Sequence, residues 1–203
     1  SDQIHEVCLY FGGKLLRGNR AVKVSSDGLT AFSSPNLPPL AEARIRLNYR
    51  ENELLPSREG PLKMTRLSEI PIAVLKIFPG IQYRLFEPIV TEGLSGLVLE
   101  AFGAGNIPGY ENALLPLVRK AAEHDAVIVV CSQCLKGEVS LGTYATSMGL
   151  KRAGAVSGYD MTTEAAVTKL TYLFSLGLSR EEIRLRMELN LRGELSVFSE
   201  KNC

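Results

Sequence analysis

Three polar side chains stand at positions where a small-molecule site could be built: Lys23, Asn106 and Tyr144. Asn106 closes the run Gly103-Ala104-Gly105-Asn106, which follows a predicted strand, and α/β proteins bind ligands in the loops after strands. Asn106 can either contact a substrate or hold its loop in a left-handed turn, a conformation that asparagine tolerates. The Tyr144 phenol can hydrogen-bond a substrate amine or carboxylate, or simply pack at a helix start. Lys23, taken alone, is typical of a solvated lysine on a hairpin.

The run Cys131-Ser132-Gln133-Cys134 has the spacing of a redox pair or of half a zinc site. Zinc needs further ligands, and the remaining cysteines and histidines form no second paired motif. The following Lys136-Gly137 is unlike the helix of a thioredoxin-type pair, so we expect buried thiols at a strand end and no metal. Gly103–Asn106 lacks the third glycine of a dinucleotide fingerprint, because Pro108 stands there. We therefore expect no dinucleotide cofactor such as NAD.

The composition is that of an ordinary globular protein: 203 residues, 45% hydrophobic and 22% charged, with a net charge of +1. This length allows one full core and part of a second. Because positive and negative residues are nearly equal in number, the composition does not indicate a basic surface that would bind nucleic acid or an anionic membrane. Neither is expected as a partner. Runs such as Ile70–Leu75 and Ala126–Cys131 are too short to cross a bilayer. Four cysteines are too few for a disulfide scaffold, which favours a reducing, cytoplasmic location.

From about residue 66 onward, short apolar segments alternate with helical patterns. The predicted strands are Ile72–Phe78, Gly96–Phe102, Ala126–Ser132 and Ala155–Tyr159. The predicted helices are Tyr110–Glu123, Tyr144–Arg152, Thr163–Leu176 and Glu181–Leu191. Asp160 or Thr162 should cap the third helix, and Ser179 with Glu182 should form a capping box for the fourth. Strand–helix alternation predicts an α/β domain with a parallel, four-stranded type of sheet flanked by helices.

The first part of the chain has a different pattern. Glu6–Phe11 and Lys14–Val24 should form a β-hairpin, with the second strand interrupted or bulged at Gly18-Asn19, and a proline-rich loop follows at Ser33–Leu40. A lone hairpin is marginally stable, so its sheet should be completed by strands outside this chain. We therefore assign residues 1–47 to the end of an N-terminal domain, 48–65 to a linker and 66–203 to a C-terminal domain.

Three segments, Arg17–Lys23, Ser34–Leu40 and Asn190–Leu195, resemble the cytosolic (type I) L-asparaginases. The similar motifs run in the same order from Glu6 to Leu195. That family carries its nucleophilic threonine in a Thr-Gly-Gly-Thr motif, followed by a Thr-Asp pair, and neither occurs in these 203 residues. The resemblance therefore implies the later, larger part of an asparaginase, without its nucleophile.

The resemblance also implies roles for the three candidate residues. Lys23 would lie beside the Thr-Asp pair and help to deprotonate the threonine, which attacks the amide carbon of L-asparagine. Tyr144 would reach the active site of a neighbouring subunit, and Asn106 would lie near the substrate pocket at the subunit interface. The products would be L-aspartate and ammonia, formed in the cytoplasm without a metal or cofactor. The implied partners are the missing N-terminal segment and further copies, as a homodimer or homotetramer.

Two other functions remain open. The D-type subunits of archaeal amidotransferases belong to the same superfamily and would release ammonia for a tRNA-charging partner, although their additional tRNA-related segment is not found here. A chain without the nucleophile could also be a non-catalytic scaffold or assembly fragment. On either account, this chain alone would be inactive as an asparaginase.

Overall fold

A computed structural model describes residues 4–57, 60–61, 63–107, 111–142 and 145–196, with the backbone alone at 111–113 and 145–146. The contacts divide the chain into two units, Ser1–Met64 with Asn190–Cys203, and Thr65–Leu189. Among the described residues, no helix has both the length and the hydropathy needed to span a bilayer.

The first unit is built from short antiparallel strands. They are β1 (Cys8–Phe11), β2 (Lys14–Arg17), β3 (Val22–Lys23), β4 (Phe32–Ser33), β5 (Ala41–Ala43) and β6 (Leu47–Tyr49). The predicted hairpin is present: Phe11 lies opposite Lys14, and the turn glycines have φ values of 57° and 75°, which favour glycine. One sheet has the order β1-β2-β5-β6, and β3 pairs with β4 in a second sheet.

The return strand of the hairpin is shorter than the predicted Lys14–Val24. It ends at Arg17, and a 3-10 helix follows over Gly18–Arg20, where an interruption or a bulge was expected. The Gly18 amide donates to the Val7 carbonyl at 2.9 Å, which turns the chain out of the strand. Of the two predicted alternatives at Gly18-Asn19, the structure has the interruption, because this turn breaks the pairing before β3.

The region predicted as a linker contains regular structure. Strand β6 extends into it, and a 3-10 helix follows at Glu51–Glu53. Strand β5 pairs with β2, with Leu15 opposite Ala41, and β6 pairs with β5. The expectation that all partner strands of the hairpin lie outside this chain was therefore wrong, because this chain supplies two of them.

The second unit contains the predicted parallel sheet. Its strands are β7 (Ile72–Lys76), β8 (Gly96–Ala101), β9 (Val127–Ser132) and β10 (Val156–Ser157), and its helices are α1 (Glu111–Glu123), α2 (Ala145–Arg152), α3 (Thr163–Ser175) and α4 (Arg180–Met187). All neighbouring strands run parallel, in the order β10-β9-β8-β7. A 3-10 helix at Tyr83–Ile89 was not predicted. The predicted first residues of two helices, Tyr110 and Tyr144, lie outside the described residues.

Helices cover both faces of this sheet. On one face, Leu97 and Leu99 of β8 belong to the same buried cluster as Leu114 of α1. The alternate residues of a strand point the other way, and a Cβ at Gly96 would lie 3.3 Å from Leu170 of α3. Because both faces are covered, the central strands are almost entirely apolar, which is why the sequence identified them.

The helix caps agree with the sequence, but the last helix is shorter than predicted. Thr162, and not Asp160, caps α3 by accepting a hydrogen bond from Ala165 N at 3.1 Å. The capping box of Ser179 and Glu182 opens α4 as predicted. That helix ends at Met187 because the buried Lys169 ammonium donates to two carbonyl oxygens there, Met187 O at 3.0 Å and Leu189 O at 2.5 Å.

Candidate functional site

Lys23 lies on β3, opposite Phe32 of β4, and its side chain is exposed. The ammonium nitrogen stands 5.0 Å from the centre of the Phe32 ring. That ring meets Phe11 edge-on, with 5.3 Å between the ring centres. A cation over an aromatic face is attracted by the ring, so the Phe32 ring attracts the Lys23 ammonium, and Phe11 packs against that ring.

The short turn before β3 is held by two buried arginines. The Arg17 guanidinium forms an ion pair with Glu6 and donates to Glu53 O at 2.5 Å and Gly193 O at 3.3 Å. Its side chain is only 7% exposed, so each of these protein contacts replaces a hydrogen bond to water that the guanidinium lost on burial. Arg17 therefore ties the end of β2 to two distant segments of the first unit.

Arg20 makes a second set of contacts from the same turn. Its guanidinium donates to Glu194 O at 2.9 Å, Asn36 O at 3.1 Å and Ser196 Oγ at 3.1 Å. Arg20 is 2% exposed. The planar guanidinium, with its several donors, can hold the proline-rich loop and the chain's tail together in a way that lysine cannot.

The tail segment Asn190–Leu195 closes a loop with its own side chains. The Glu194 carboxylate accepts hydrogen bonds from the amides of Leu191 and Arg192, the second at 2.6 Å. Asn190 Oδ1 accepts from Gly193 N at 2.7 Å, and Asn190 Nδ2 donates to Leu195 O at 2.6 Å. This segment belongs by its contacts to the first unit, whereas the sequence placed it in the C-terminal domain.

Gly193 has a φ of 75°, a left-handed conformation, within this tail loop. It does not cap the preceding helix, because α4 has already ended at Met187 and Glu188 is the capping residue. A Cβ at Gly193 would stand 2.6 Å from Arg17 Nη1. The glycine is required by both its backbone conformation and the arginine packed on it.

Asn106 follows β8 in the second unit and is half-buried. It pairs with Phe102 through two backbone hydrogen bonds, of 2.8 and 2.9 Å, which close the intervening loop. The left-handed residues of that loop are Gly103 and Gly105, with φ values of 49° and 104°. The hypothesis that Asn106 itself adopts the left-handed turn was wrong, because the two glycines do so.

The two cysteines of the paired motif have opposite environments. Cys131 is fully buried, and burial together with the Glu100 and Glu164 carboxylates raises the pKa of its thiol to about 12. Cys134 is exposed, so the expectation of two buried thiols held only for Cys131. In the described part of the chain, no three His, Cys, Asp or Glu side chains come together as metal ligands.

The structure describes Lys23 in the first unit and Asn106 in the second. Tyr144, the third predicted site residue, lies outside the described residues. The buried Arg17 and Arg20 were part of a recognised motif, but their contacts with the tail could not be inferred from local spacing. The one feature of the sequence that pointed to these buried arginines was their spacing, three positions apart with a glycine between them.

Two family profiles match the chain. The profile described as the N-terminal domain of asparaginase covers residues 1–55, and that of the glutaminase/asparaginase C-terminal domain covers residues 71–187. L-asparaginase 1 of Escherichia coli (strain K12) is 42% identical over 193 residues, which is 95% of this chain and 57% of that protein. The chain thus spans little more than half the length of this relative.

Other relatives have different names. The 60 kDa lysophospholipase of Mus musculus is 41% identical over 96% of this chain, which is 34% of that protein. The D-type subunit of the glutamyl-tRNA(Gln) amidotransferase of Thermococcus kodakarensis is 30% identical over 90% of this chain and 41% of its own length. Among solved structures, L-asparaginase I of Vibrio cholerae superposes with a TM-score of 0.88 at 42% identity, covering 96% of this chain and 58% of that one.

Proposed function

Because this chain belongs to the glutaminase/asparaginase family, we propose that it forms the later part of an L-asparaginase. The complete protein would hydrolyse L-asparagine to L-aspartate and ammonia through a threonine acyl-enzyme whose nucleophile lies outside these 203 residues. The observation that carries the proposal is the ordered match of both asparaginase domains, with Lys23 inside the N-terminal match. The 42% identity to an L-asparaginase supports the same assignment.

Lys23 is the residue of this chain to which we assign a catalytic role. In the proposed reaction it accepts the proton of the threonine hydroxyl, which then attacks the amide carbon and expels ammonia. The position of Lys23 inside the segment that matches the N-terminal asparaginase domain supports this role. Water then hydrolyses the acyl-enzyme and releases L-aspartate.

Asn106 and Tyr144 are proposed to bind substrate. A carboxamide offers both donors and an acceptor, and a phenol offers one of each, so the pair could bind the ammonium and carboxylate of an amino acid. We assign Tyr144 to the active site of a neighbouring subunit in a homodimer or homotetramer, and Asn106 to the substrate pocket near the subunit interface. Tyr144→Phe and Asn106→Ala should raise KM more than they lower kcat, as expected for groups that bind ground state and transition state alike.

Replacing Lys23 tests the catalytic assignment. In the assembled enzyme, Lys23→Met should lower kcat for L-asparagine by about 10²–10⁴-fold, the usual range for a lost proton acceptor. Lys14→Met is the matched control, since Lys14 is another exposed lysine of the first unit, on β2, and should leave kcat unchanged. A Lys23→Met enzyme with the kcat of the control would exclude this role.

The second candidate function is ammonia production within an amidotransferase, and the similarity to a D-type amidotransferase subunit favours it. The two functions differ in what the ammonia release depends on. An asparaginase should hydrolyse free L-asparagine at full rate without a partner, whereas an amidotransferase subunit should depend on tRNA and on its partner protein. A cytoplasmic location is part of both proposals, and cell fractionation tests it.

A further inference from the structure

A cavity of about 260 Å³ lies in the second unit, beside β10. Its wall is partly apolar, from Val139, Leu141 and Ala155. The polar part includes Lys151 and Glu188, which carry opposite charges, together with Tyr159. Pockets for drug-sized ligands measure roughly 300–1,000 Å³, so this cavity suits a smaller metabolite. None of these residues belongs to the proposed catalytic assignment.

Tyr159 has an unusual backbone at this cavity. Its φ is 49°, which is an outlier for a bulky aromatic residue. Three bonds hold it there: Val139 N donates to Tyr159 O at 2.9 Å, Tyr159 N donates to Ser157 Oγ at 3.0 Å, and Ser157 Oγ donates to Val139 O at 2.8 Å. A strained backbone conformation of this kind persists only where several surrounding hydrogen bonds hold it in place. Strained residues of this kind are common at ligand-binding sites.

Glu188 provides the negative charge of the cavity. Its Oε1 accepts a hydrogen bond from Ser157 N at 3.0 Å, which fixes the carboxylate against β10. Burial, and then the Glu188 and Glu138 carboxylates, raise the pKa of Tyr159. The phenol therefore stays protonated at neutral pH and remains available as a hydrogen-bond donor and acceptor.

Lys151, near the end of α2, provides the positive charge. Within the residues that the structure describes, its ammonium has no hydrogen bond and no ion pair, with Glu188 or with any other side chain. Two opposite charges therefore line one small cavity without neutralising each other. A ligand that carried both charges could pair with each of them.

We propose that this cavity binds a small zwitterion of the α-amino-acid class, with its carboxylate at Lys151 and its ammonium at Glu188 and the Tyr159 hydroxyl. A dicarboxylate would meet the repulsion of Glu188, and a simple amine would meet that of Lys151. The zwitterion alone satisfies both side chains. This assignment is independent of whether the complete protein hydrolyses L-asparagine.

Three matched probes test the charge requirement by NMR titration of the isotope-labelled protein. L-Serine carries both charges, N-acetyl-L-serine lacks the ammonium, and L-serine methyl ester lacks the carboxylate. L-Serine should shift the amide signals of Val139, Ser157 and Tyr159, and each derivative should bind at least about tenfold more weakly, because each has lost one charge-assisted contact. None of the probes contains the side-chain amide that an asparaginase hydrolyses, so this result does not depend on the proposed function.

Two variants assign the contacts. Lys151→Met and Glu188→Gln should each weaken L-serine binding at least about tenfold, and the glutamine can still accept the bond from Ser157 N. Lys76→Met is the matched control, because Lys76 is an exposed lysine on β7, at the opposite edge of the sheet, and should leave binding unchanged. The proposal is overturned if L-serine shifts none of these signals, if the derivatives bind as well as L-serine, or if both variants bind like the control.

Discussion

Arg17 and Gly193 are 176 positions apart in the sequence, and Arg17 Nη1 lies 3.3 Å from the Gly193 carbonyl oxygen. The contact is possible because Gly193 has no side chain where the guanidinium packs. Arg17 and Gly193 come from two of the segments on which the resemblance rested. Within the first unit, those segments are therefore in direct contact, and the tail stabilises the turn that leads to Lys23.

Gly193→Ala should strongly destabilise the first unit. An alanine at a φ of 75° costs about 1–2 kcal/mol in the backbone, and the Cβ would lie 2.6 Å from Arg17 Nη1, which adds about 1–3 kcal/mol of overpacking. Gly13→Ala is the matched control in the same unit: its φ is also 75°, but its nearest contact would be an ordinary 3.7 Å. Urea unfolding measures both, and equal losses would contradict the packing argument.

Arg20→Met should loosen the tail more than it affects the rest of the protein. It removes the hydrogen bonds of a buried cation to Glu194 O, Asn36 O and Ser196 Oγ, with an expected cost of about 3 kcal/mol or more. Hydrogen exchange of the amides in 190–196 should accelerate correspondingly. Arg44→Met, which breaks an exposed ion pair with Glu42, should leave these rates unchanged. Unchanged tail exchange in Arg20→Met would show that the arginine does not hold the tail.

Iodoacetamide at neutral pH should distinguish the two cysteines of the paired motif. Cys134 is exposed and should be alkylated in the folded protein. Cys131 should not react, because it is inaccessible and its pKa of about 12 leaves almost no thiolate. Peptide mass spectrometry gives the extent at each site, and in urea both should be labelled. Labelling of Cys131 in the folded protein at the rate of Cys134 would contradict the burial.

Glu182 should contribute stability at neutral pH that is lost in acid. Hydrogen bonds from the Ser179 backbone and hydroxyl lower the pKa of this carboxyl below its usual 4.5. The contribution is present above pH 4.5 and disappears as the pH falls through the lower, folded-state value. Glu182→Gln should therefore be less stable than the native protein at pH 7, and the difference should shrink with acidification.

The control for this titration is Glu181→Gln, which removes the same charge from the same helical turn without changing the capping box. Denaturant unfolding at a series of pH values measures all three proteins. The prediction fails if the stability difference between the native protein and Glu182→Gln is the same at every pH.

The central sheet could be predicted because its strands are buried on both faces. β8 and β9 form continuous apolar runs, and their observed bounds lie within one residue of the predicted ones. Helix capping also depends on residues that are close in sequence. The capping box of Ser179 and Glu182 could therefore be predicted from the spacing of a serine and a glutamate. These features depend on neighbours in sequence, which is the information that a single sequence provides.

The first unit could be predicted only in part, because non-local pairing shapes it. β5 and β6 are three residues long, mixed in polarity and partly exposed, so the pairing of β5 with β2 and of β6 with β5 leaves no periodic pattern. The tail contacts of Arg17 and Arg20 likewise leave no local signal. The candidate residues share this limitation: Lys23 belongs to the first unit and Asn106 to the second, and the proposed role of each rests on the family resemblance more than on any local pattern.

Ammonia release from L-asparagine tests the central claim most directly, measured on this chain alone and on this chain mixed with a polypeptide that carries Thr-Gly-Gly-Thr and Thr-Asp. We predict no release above background from the chain alone, release from the mixture, and loss of that release when the mixture contains Lys23→Met. Hydrolysis by the chain alone, or a Lys23→Met mixture as active as the native one, would contradict the account.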